Sequence, residues 1–435
     1  MPPSISRNIW VGLALLGFAG ELAWAVENQF FNTFMFDKIV PDPRPISWMV
    51  AASAAAATIT TILMGTLSDR TRSQWGRRRP YIFWGYLAWA ALTAAFPQAA
   101  FFRPVALAVG MAILFDCVMT YCGSTAHNAA LSAYVTDITT LDNRGKAVGV
   151  LEIVKWVAIL IVYGGSGAII QAQGYYFFFY IIAGLVLVVG VFGSSQIREV
   201  PVTAQPEGRY WSQIADSFRW RNLVSHRDFF LVLLGVSLWS IAQNIFFPYL
   251  IIYLNHYLKL EMLESSITMA VVILVGGILA AYPLGLLADR WGRRPMAFVA
   301  IVAEMIGLLL FSFTRTLVPL IITGVMWLVP LTAWSIATST WSKDLFPEDK
   351  RGQFAGYYLF FWIMLPMILG PITGGLLVAH YGTPIVIAGQ PGFVPTPLLF
   401  QVAGVGTLLA GLPLLLTLKR TEAVPAPSLQ TPGVS

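Results

Sequence analysis

The stretch GTLSDRTRSQWGRRRP, residues 65–80, decides the fold because a shorter copy of it, GLLADRWGRRP, follows at residues 285–295. In each motif copy a glycine precedes an aspartate by four residues, and an arginine and a Trp-Gly-Arg-Arg run follow. The first copy has four additional residues, 71–74. Its aspartate, Asp69, lies 220 positions before Asp289, about half the chain. Such an offset predicts a fold built by duplicating one unit.

Both motif copies lie between long apolar segments. Of the 435 residues, 57% are hydrophobic and 11% are charged, whereas about 25% of the residues in soluble domains are charged. The apolar runs are roughly twenty residues long, the length that crosses a bilayer as a helix. The sequence therefore predicts an all-helical membrane protein in a lipid bilayer. It attributes the net charge of +6 to topology and predicts no nucleic-acid partner.

Apolar runs of this kind occur twelve times, six in each half. We predict spans at 8–36, 45–67, 80–100, 104–136, 146–171, 174–195, 228–254, 264–287, 295–314, 317–341, 352–379 and 397–418. They form a six-helix bundle at 1–195 and a second at 228–420, joined by a linker at 196–227. Basic and aromatic residues alternate at helical spacing in 209–226, which indicates an amphipathic helix on the membrane surface. The Pro- and Ser-rich tail, 421–435, is expected to be disordered.

Lysine and arginine positions predict the orientation of these spans. With a cytoplasmic N-terminus, 21 of the 27 basic residues fall in cytoplasmic segments, five fall in outside loops, and Lys155 lies within a span. This bias follows the positive-inside rule. It predicts a multi-pass protein of the cytoplasmic (inner) membrane with both termini in the cytoplasm.

A second repeat supports the two halves. An aspartate is followed seven residues later by Arg-Gly at Asp137 and Arg144, and again at Asp344 and Arg351. Both pairs follow the fourth span of their half, and the offset is 207 residues. Two independent repeats at similar offsets predict two pseudo-symmetric bundles.

Twelve spans in two halves, with G-x-L-x-D-R and G-R-R after the second span of each, resemble the major facilitator superfamily. The longer first copy is similar to the sucrose-transporter-like and glycoside–pentoside–hexuronide:cation symporter branches. The resemblance implies alternating access around a central cavity, with a sugar or glycoside moved alongside a proton or a sodium ion. It also implies that acids and arginines of the repeats latch the outward-open state. These gating candidates are Asp69, Arg77, Arg78, Arg144, Asp289, Arg293, Arg294 and Arg351.

The second span departs from one branch of that family. Melibiose-permease-like carriers place a pair of aspartates there to bind the cation. Here the second span has no acid before Asp69, only hydroxyl side chains such as Ser53 and Thr58. Sodium coupling through such a pair is therefore not expected, and proton coupling is favoured.

Polar side chains inside the spans are candidates for binding and coupling, since a charge at mid-bilayer costs about 3 kcal/mol on insertion scales. On helical spacing, such residues form one stripe on each of three spans. Glu27 lies off the first stripe and faces a neighbouring helix or the rim. The stripes are Glu21, Trp24, Asn28 and Asn32 on span 1; Asp116, Thr120, His127 and Asn128 on span 4; and Glu152, Lys155, Trp156 and Tyr163 on span 5. They line the cavity or, alternatively, join helices through hydrogen bonds.

Glu152 and Lys155 are three residues apart, so an intrahelical ion pair explains both. Alternatively, Lys155 binds substrate oxygens, its charge balanced by Glu152 or Asp116. The proton-coupling candidates are Asp116, Glu21 and Glu152. His127 either titrates with them or is a neutral, hydrogen-bonded histidine.

The second half has fewer charges and more aromatic rings and amides. Its substrate-binding candidates are Gln243 and Asn244 on span 7 and Trp334 and Thr338 on span 10. Amides and hydroxyls match sugar hydroxyls, and aromatic rings pack on sugar faces. The alternative is that these rings serve helix packing or the membrane interface. Glu304 is either a buried structural acid or functional.

Two cysteines, Cys117 and Cys122, lie five residues apart in one span and on different helix faces, so neither a disulfide nor a metal pair is expected. We find no nucleotide loop, metal motif or serine elbow and predict neither a cofactor nor enzymatic activity. The favoured function is proton-coupled symport of a small-molecule sugar or glycoside by a monomer. The alternative is proton-coupled export of a hydrophobic or amphipathic compound.

Overall fold

The computed structural model describes residues 6–139, 141–199, 226–345 and 357–417. Within them, ten helices are long and apolar enough to cross a membrane. They are α1 Arg7–Ile39, α2 Pro43–Arg70, α4 Val105–Ile138, the double helix Lys146–Gln196, α7 Arg227–Tyr257, α8 Met262–Trp291, α9 Arg293–Phe313, α10 Leu317–Ser342, α11 Tyr357–Tyr381 and α12 Leu398–Leu415. The segment α3, Arg79–Ala95, has 17 residues and continues as a tighter helix, Phe96–Phe101.

The double helix Lys146–Gln196 contains two crossings. Its 51 residues would extend about 75 Å as one straight helix, more than twice the hydrocarbon core of a bilayer. Gly174 interrupts it with φ 83° and ψ 173°, a conformation that glycine adopts without a side-chain clash. We call the parts before and after Gly174 α5 and α6. With α3, this completes twelve helices in two six-helix bundles and confirms the predicted fold.

Parts of the prediction lie outside the described residues. The amphipathic helix expected at 209–226 falls there apart from His226, and so does the tail at 421–435. The proposed bundle limits at 195, 228 and 420 therefore stay predictions.

Each motif copy turns sharply into the following helix at its glycine. Gly76 has φ 97° and Gly292 has φ 82°, values in the left-handed region where a side chain would be strained. α3 begins at Arg79 and α9 at Arg293, directly after these turns. The duplicated Trp-Gly-Arg-Arg run thus places a glycine with positive φ shortly before the next helix in both copies.

Small residues set how closely the helices pack. A Cβ atom at Gly307 of α9 would lie 2.7 Å from the carbonyl oxygen of Met326 of α10, and one at Gly123 of α4 would lie 2.8 Å from the ring of Trp89 of α3. Helix association in lipid depends on such close packing, because lipid tails are as apolar as the helix surfaces.

A β-hairpin that the sequence analysis did not predict connects α11 and α12. Its strands are β1 Thr383–Ile387 and β2 Gln390–Val394, paired antiparallel. The connecting residues, Ala388 and Gly389, both have positive φ, as a two-residue turn with the twist of a hairpin requires. The Phe393 N–H donates to the carbonyl of Pro41 at 3.1 Å, so the hairpin contacts the first bundle.

The bundles meet at one end, which we call the Asp37 end; the opposite end, where both motif copies lie, is the motif end. Seven side-chain contacts that cross between bundles among the described residues lie at the Asp37 end. They are Gln29 to Phe247 O (2.8 Å), Ser47 to Tyr249 (2.8 Å), Tyr249 to Pro43 O (3.4 Å), Ser166 to Ser266 (3.1 Å), Gln171 to Glu261 (2.8 Å), Leu263 N to Gln171 (3.3 Å) and Asp37 to His256 (2.7 Å). The molecule is therefore closed at the Asp37 end.

Candidate functional site

A cavity of about 410 Å³ lies between the two bundles. The first bundle contributes residues of α1 and α5 to its wall: Glu21, Trp24, Ala25, Asn28, Trp156, Ile159 and Tyr163. The second contributes residues of α7, α8, α10 and α11: Trp239, Ser240, Gln243, Asn244, Phe247, Met269, Val272, Ile273, Trp327, Leu328, Leu331, Trp362, Ile363 and Met367. Its wall joins both halves of the repeat, as a central site between two bundles requires.

Half of the fourteen predicted binding residues line this cavity. They are Glu21, Trp24, Asn28, Trp156, Tyr163, Gln243 and Asn244. The other seven, Asn32, Thr120, His127, Asn128, Lys155, Trp334 and Thr338, lie elsewhere. Helical spacing identified the correct face of α1 near its middle but did not show how far along each helix the cavity extends.

Four of the seven residues outside the cavity are buried among the helices. Asn32 is 1% exposed and donates to the carbonyl of Asn28 at 2.8 Å. Thr120 donates to Glu27 at 2.8 Å and so faces α1. Trp334 is fully buried behind Trp239, with ring centroids 5.4 Å apart, and Thr338 donates to the Trp334 carbonyl at 2.8 Å. Asn128 donates to Ser124 on its own helix at 3.4 Å.

His127 and Lys155 line a smaller, neighbouring cavity of about 110 Å³, which shares Glu21 with the central one. Lys155 pairs with Glu152 at 3.3 Å, as their spacing predicted, and the two side chains are 35% and 56% exposed. Neither charged group is buried, and all residues that line this smaller cavity belong to the first bundle.

His127 lies between two polar partners. Its Nδ1 is 2.9 Å from the Tyr86 hydroxyl, which itself donates to the Leu16 carbonyl at 2.6 Å. The single hydroxyl proton is thereby used, so Nδ1 of His127 is the donor to Tyr86. Its Nε2 lies 3.7 Å from Glu21.

A buried acid fixes the second-half wall of the cavity. Glu304 of α9 is completely buried and accepts hydrogen bonds from Trp239 Nε1 at 2.6 Å and Gln243 Nε2 at 2.7 Å. The Gln243 oxygen is left without a partner in the described residues. Glu304 therefore fixes the orientation of the Gln243 amide in the cavity wall, with the Gln243 oxygen buried.

The other two amides of the cavity wall, like Gln243, each donate a hydrogen bond to the protein through the side-chain nitrogen. Asn28 donates through Nδ2 to the Trp24 carbonyl and Asn244 donates to the Ser240 carbonyl, both at 2.8 Å. Each amide N–H₂ group thus has one proton engaged by the protein. Each amide therefore has one N–H proton left, and the cavity wall also contains the Glu21 carboxylate as an acceptor.

A second pair of acids lies behind α1, away from the cavity. Glu27 of α1 is 9% exposed and Asp116 of α4 is 2% exposed. Asp116 lies one helical turn before Thr120, whose hydroxyl donates to the Glu27 carboxyl group, so the two acids are neighbours. The sequence analysis left the direction of Glu27 open, because helical spacing shows that it is off the cavity face without showing which helix it meets.

At the motif end, the predicted gating residues form pairs within their own bundles. Arg78 pairs with Asp69 and Asp137, and Arg77 pairs with Asp137 at 2.8 Å. In the second copy Arg293 pairs with Asp344, while Arg294 donates to the Leu414 carbonyl at 3.4 Å and Asp289 is exposed. The side chain of Arg144 and all of Arg351 lie outside the described residues. A latch between the bundles is thus not formed by the described pairs here and stays a prediction.

Glu199, which the sequence analysis did not single out, supports the first motif copy. Its carboxylate accepts hydrogen bonds from the backbone N–H groups of Arg77, Arg78 and Arg79, two of them at 2.6 Å. These groups form the N-terminus of α3, where a negative charge is stabilising. A signal for it was absent because Glu199 is 120 residues from Arg79 in the chain.

The apolar part of the cavity wall was also missed. It includes Met269, Val272, Ile273 and Leu331. In a membrane sequence an apolar residue on a cavity is indistinguishable from one that faces lipid or another helix.

Comparisons with known proteins agree with this geometry. The profile described as Major Facilitator Superfamily matches residues 9–282 and 268–434. A D-xylose transporter of Levilactobacillus brevis is 30% identical over 101 residues, which is 23% of this chain and 22% of that relative. The match thus spans about a fifth of the relative's length.

Solved transporter structures superpose over nearly the whole chain. The nucleoside transporter NupG has a TM-score of 0.71 and 16% identity, covering 95% of this chain and 100% of its own. The xylose transporter XylE from E. coli, in a partially occluded inward-open conformation, has a TM-score of 0.66 and 12% identity, covering 94% and 97%. A bacterial homologue of the human lysosomal transporter Spinster, in an inward-facing and occupied conformation, has a TM-score of 0.68 and 13% identity. The superposition covers 94% of this chain and 95% of that one. At these identities the likeness is one of fold.

Proposed function

The chain belongs to the major facilitator superfamily and is a multi-pass membrane transporter, and we propose that it takes up a sugar or glycoside together with a proton by alternating access. The observation that supports this cargo is the amide wall of the cavity, in which Glu304 fixes Gln243 and Trp239. Sugar hydroxyl groups form hydrogen bonds with amide and carboxylate groups of this kind, and the indole rings offer flat surfaces to the apolar faces of a sugar.

Size and charge of the cavity agree with a neutral solute. Its volume of about 410 Å³ lies within the range of about 300–1,000 Å³ that small-molecule sites have. Glu21 is the one charged residue of its described wall, and a negative charge disfavours an anionic cargo. Three of the similar proteins are named for xylose or a nucleoside, which are hydroxylated solutes.

The orientation proposed from the basic residues determines which conformational state a closed Asp37 end represents. With the motif end in the cytoplasm of an inner-membrane protein, closure at the Asp37 end corresponds to an inward-facing state. The cycle would then open the Asp37 contacts and join the bundles at the motif end. We propose that Asp69 and Asp289 contribute to that second closure, and that the transporter works as a monomer.

Uptake into proteoliposomes tests the proposal. An inward proton gradient should drive concentrative uptake of at least one sugar from a panel of pentoses, hexoses, disaccharides and glycosides, and a protonophore should abolish it. Gln243→Leu should raise the KM for that sugar more than 10-fold, because it removes an amide from the cavity wall and leaves the buried Glu304 without one of its two hydrogen-bond donors. Gln401→Leu on α12, which donates to Ser312 outside the cavity, is the matched control. Sugar uptake indifferent to the gradient would contradict the proposed coupling.

Export of an amphipathic compound is the second candidate, and the apolar residues of α8 and α10 in the cavity wall favour it. In that case proteoliposomes would expel a lipophilic dye under a proton gradient. The panel sugars would not compete, and Gln243→Leu would leave dye export unchanged.

A further inference from the structure

One contact between the bundles forms part of the cavity wall. Trp156 of α5 lines the cavity, and its indole lies against Gly277 of α8, which is behind the wall. We propose that Gly277 is a specificity-determining residue: by leaving room for the indole of Trp156 it sets the width of the cavity and so the size of the solute that is carried. This inference rests on the proposed sugar transport.

The outer edge of the indole points at the backbone of α8. A Cβ atom at Gly277 would lie 2.7 Å from Cζ3 and 2.9 Å from Cη2 of Trp156, whereas non-bonded carbon atoms are best separated by about 3.5–4.0 Å. Gly277 is itself buried. Any side chain at this position would need the space that the ring now fills, so the position of the ring depends on the glycine.

The contact extends the pairing of α5 with α8 from the Asp37 end to the level of the cavity. Nearer that end, the hydroxyls of Ser166 and Ser266 are 3.1 Å apart. Trp156 lies ten residues before Ser166, and Gly277 lies eleven after Ser266, which is about 15 Å further along each helix. The two antiparallel helices therefore stay side by side over this distance, and Trp156 fills the gap between them beside the cavity.

The backbone of α8 is wider where the indole rests. A π-helical segment runs from Ile273 to Leu279 and includes Gly276 and Gly277, and such segments occur frequently at functional sites. The carbonyl of Gly276 accepts a hydrogen bond from Thr332 of α10 at 2.8 Å. This bond ties the segment to its own bundle, so the indole of the other bundle rests on a fixed surface.

The open space beside the ring is where the two cavities meet. Glu21 lines both cavities, and Lys155 lines the smaller one. Lys155 Nζ lies 5.8 Å from the centroid of the Trp156 ring, within the range of a cation–π contact. A ring displaced from α8 has α5 behind it and α8 before it, so it moves into this space. It would narrow the cavity on the side of Glu21.

Transport of sugars of different size tests the role of Gly277. The panel is D-xylose, D-glucose and sucrose. In Gly277→Val, the KM of the largest sugar that is carried should rise at least 10-fold more than that of the smallest, because the displaced ring takes up room that only the larger solute needs. The kcat of the smallest sugar should change less than about 3-fold. Gly277→Ala should shift the KM ratio in the same direction by less.

The matched control is Gly165→Val on α5, since a Cβ atom at Gly165 meets nothing within 4 Å. Its KM ratio should equal that of the wild type. An equal shift in both valine variants would show that the ratio does not depend on the indole.

A shorter ring at position 156 tests whether Gly277 acts through Trp156. A phenyl ring lacks the benzo-ring edge that meets Gly277, so in a Trp156→Phe background Gly277→Val should change the KM ratio less than about 3-fold. An equally large change in both backgrounds would mean that valine acts through the packing of α8 alone, and it would overturn the inference.

Alkylation of a cavity cysteine measures the width of the cavity without any cargo. Asn28→Cys, in a background without Cys117 and Cys122, is treated with N-methylmaleimide and with fluorescein-5-maleimide. Gly277→Val should slow the larger reagent at least 10-fold more than the smaller one, and Gly165→Val should slow neither. An unchanged ratio of rates, or faster reaction of the larger reagent, would overturn the inference.

The two assays separate this inference from the proposed function. Failure of every sugar, with the slower alkylation present in Gly277→Val, would refute the cargo and retain the role of Gly277. Proton-driven uptake with unchanged KM and alkylation ratios would retain the function and refute the role of Gly277.

Discussion

The two ends of the molecule use polar contacts in opposite ways. At the Asp37 end, hydrogen bonds join one bundle to the other, as between Asp37 and His256 at 2.7 Å. At the motif end, the described arginines and acids pair inside one bundle, as between Arg77 and Asp137 at 2.8 Å. A contact between bundles affects the population of a conformational state, whereas one within a bundle affects its stability. The two ends should therefore respond differently to mutation.

The largest effect is expected where the bundles pack most tightly. A Cβ atom at Gly375 of α11 would collide with Ser47 of α2 and lie 3.0 Å from the Tyr249 hydroxyl. Gly375→Val should destabilise the closed Asp37 end by about 3 kcal/mol and raise the open fraction about 100-fold. Electron–electron resonance between spin labels at Phe101 and Val386, in a background without Cys117 and Cys122, measures the opening.

Gly110→Val is the control for that substitution, because a Cβ atom at Gly110 of α4 meets open space. It should leave the label distance unchanged. Equal distances in both variants would show that tight packing at Gly375 does not hold the bundles together.

The next effect concerns stability at the motif end. Arg78 is 4% exposed and holds Asp69 and Asp137 together, so Arg78→Ala should lower the free energy of unfolding by about 2 kcal/mol. The Arg293 side chain is 37% exposed and its partner Asp344 is 47% exposed. Arg293→Ala should therefore lower the free energy of unfolding by less than about 1 kcal/mol. Thermal unfolding in detergent measures both. Equal losses would mean that the two motif copies are equivalent despite their different burial.

A smaller change in the open fraction is expected when the contact between Asp37 and His256 is weakened. Asp37 accepts from His256 and, at 2.6 Å, from Tyr175. Asp37→Asn should weaken closure by about 1.4 kcal/mol, a factor of about 10 in the open fraction, measured with the same labels. Asp42→Asn is the matched control, because Asp42 pairs with Arg44 of its own bundle at the same end. An equal response of both variants would remove the distinction between crossing and internal pairs.

The smallest effect should come from Asp289→Asn. Asp289 is exposed in this state, so its loss should leave thermal stability within about 0.5 kcal/mol of the wild type. If Asp289 latches the opposite state, its loss should matter in a Gly375→Val background, where the Asp37 end is open. There, Asp289→Asn should increase the fraction of molecules that are closed at the Asp37 end. No change in that background would argue against the latch.

Several features were predictable from particular residues. The copies at 65–80 and 285–295 predicted two bundles because the same motif returns after about half the chain. The three-residue spacing of Glu152 and Lys155 predicted their ion pair because the helix places them together. Such inferences succeed when the interacting groups are near one another in sequence or repeat.

Other features depended on contacts between distant helices. Helical spacing placed Asp116 and Thr120 on one stripe but not against Glu27, since nothing local specifies which helix lies opposite. Likewise Trp334 was a substrate-binding candidate, yet Trp239 lines the cavity and Trp334 is packed behind it.

By itself, the sequence determined the membrane setting, the twelve helices, the duplication and the position of the motif loops between helices. These follow from hydropathy, helix period and backbone conformation, which are local. The tertiary structure decided which end is closed, which half of the polar candidates lines the cavity, and that Glu27 meets Thr120. Those outcomes depend on the packing of helices up to hundreds of residues apart, and helical period defines the faces of a helix without choosing their partners.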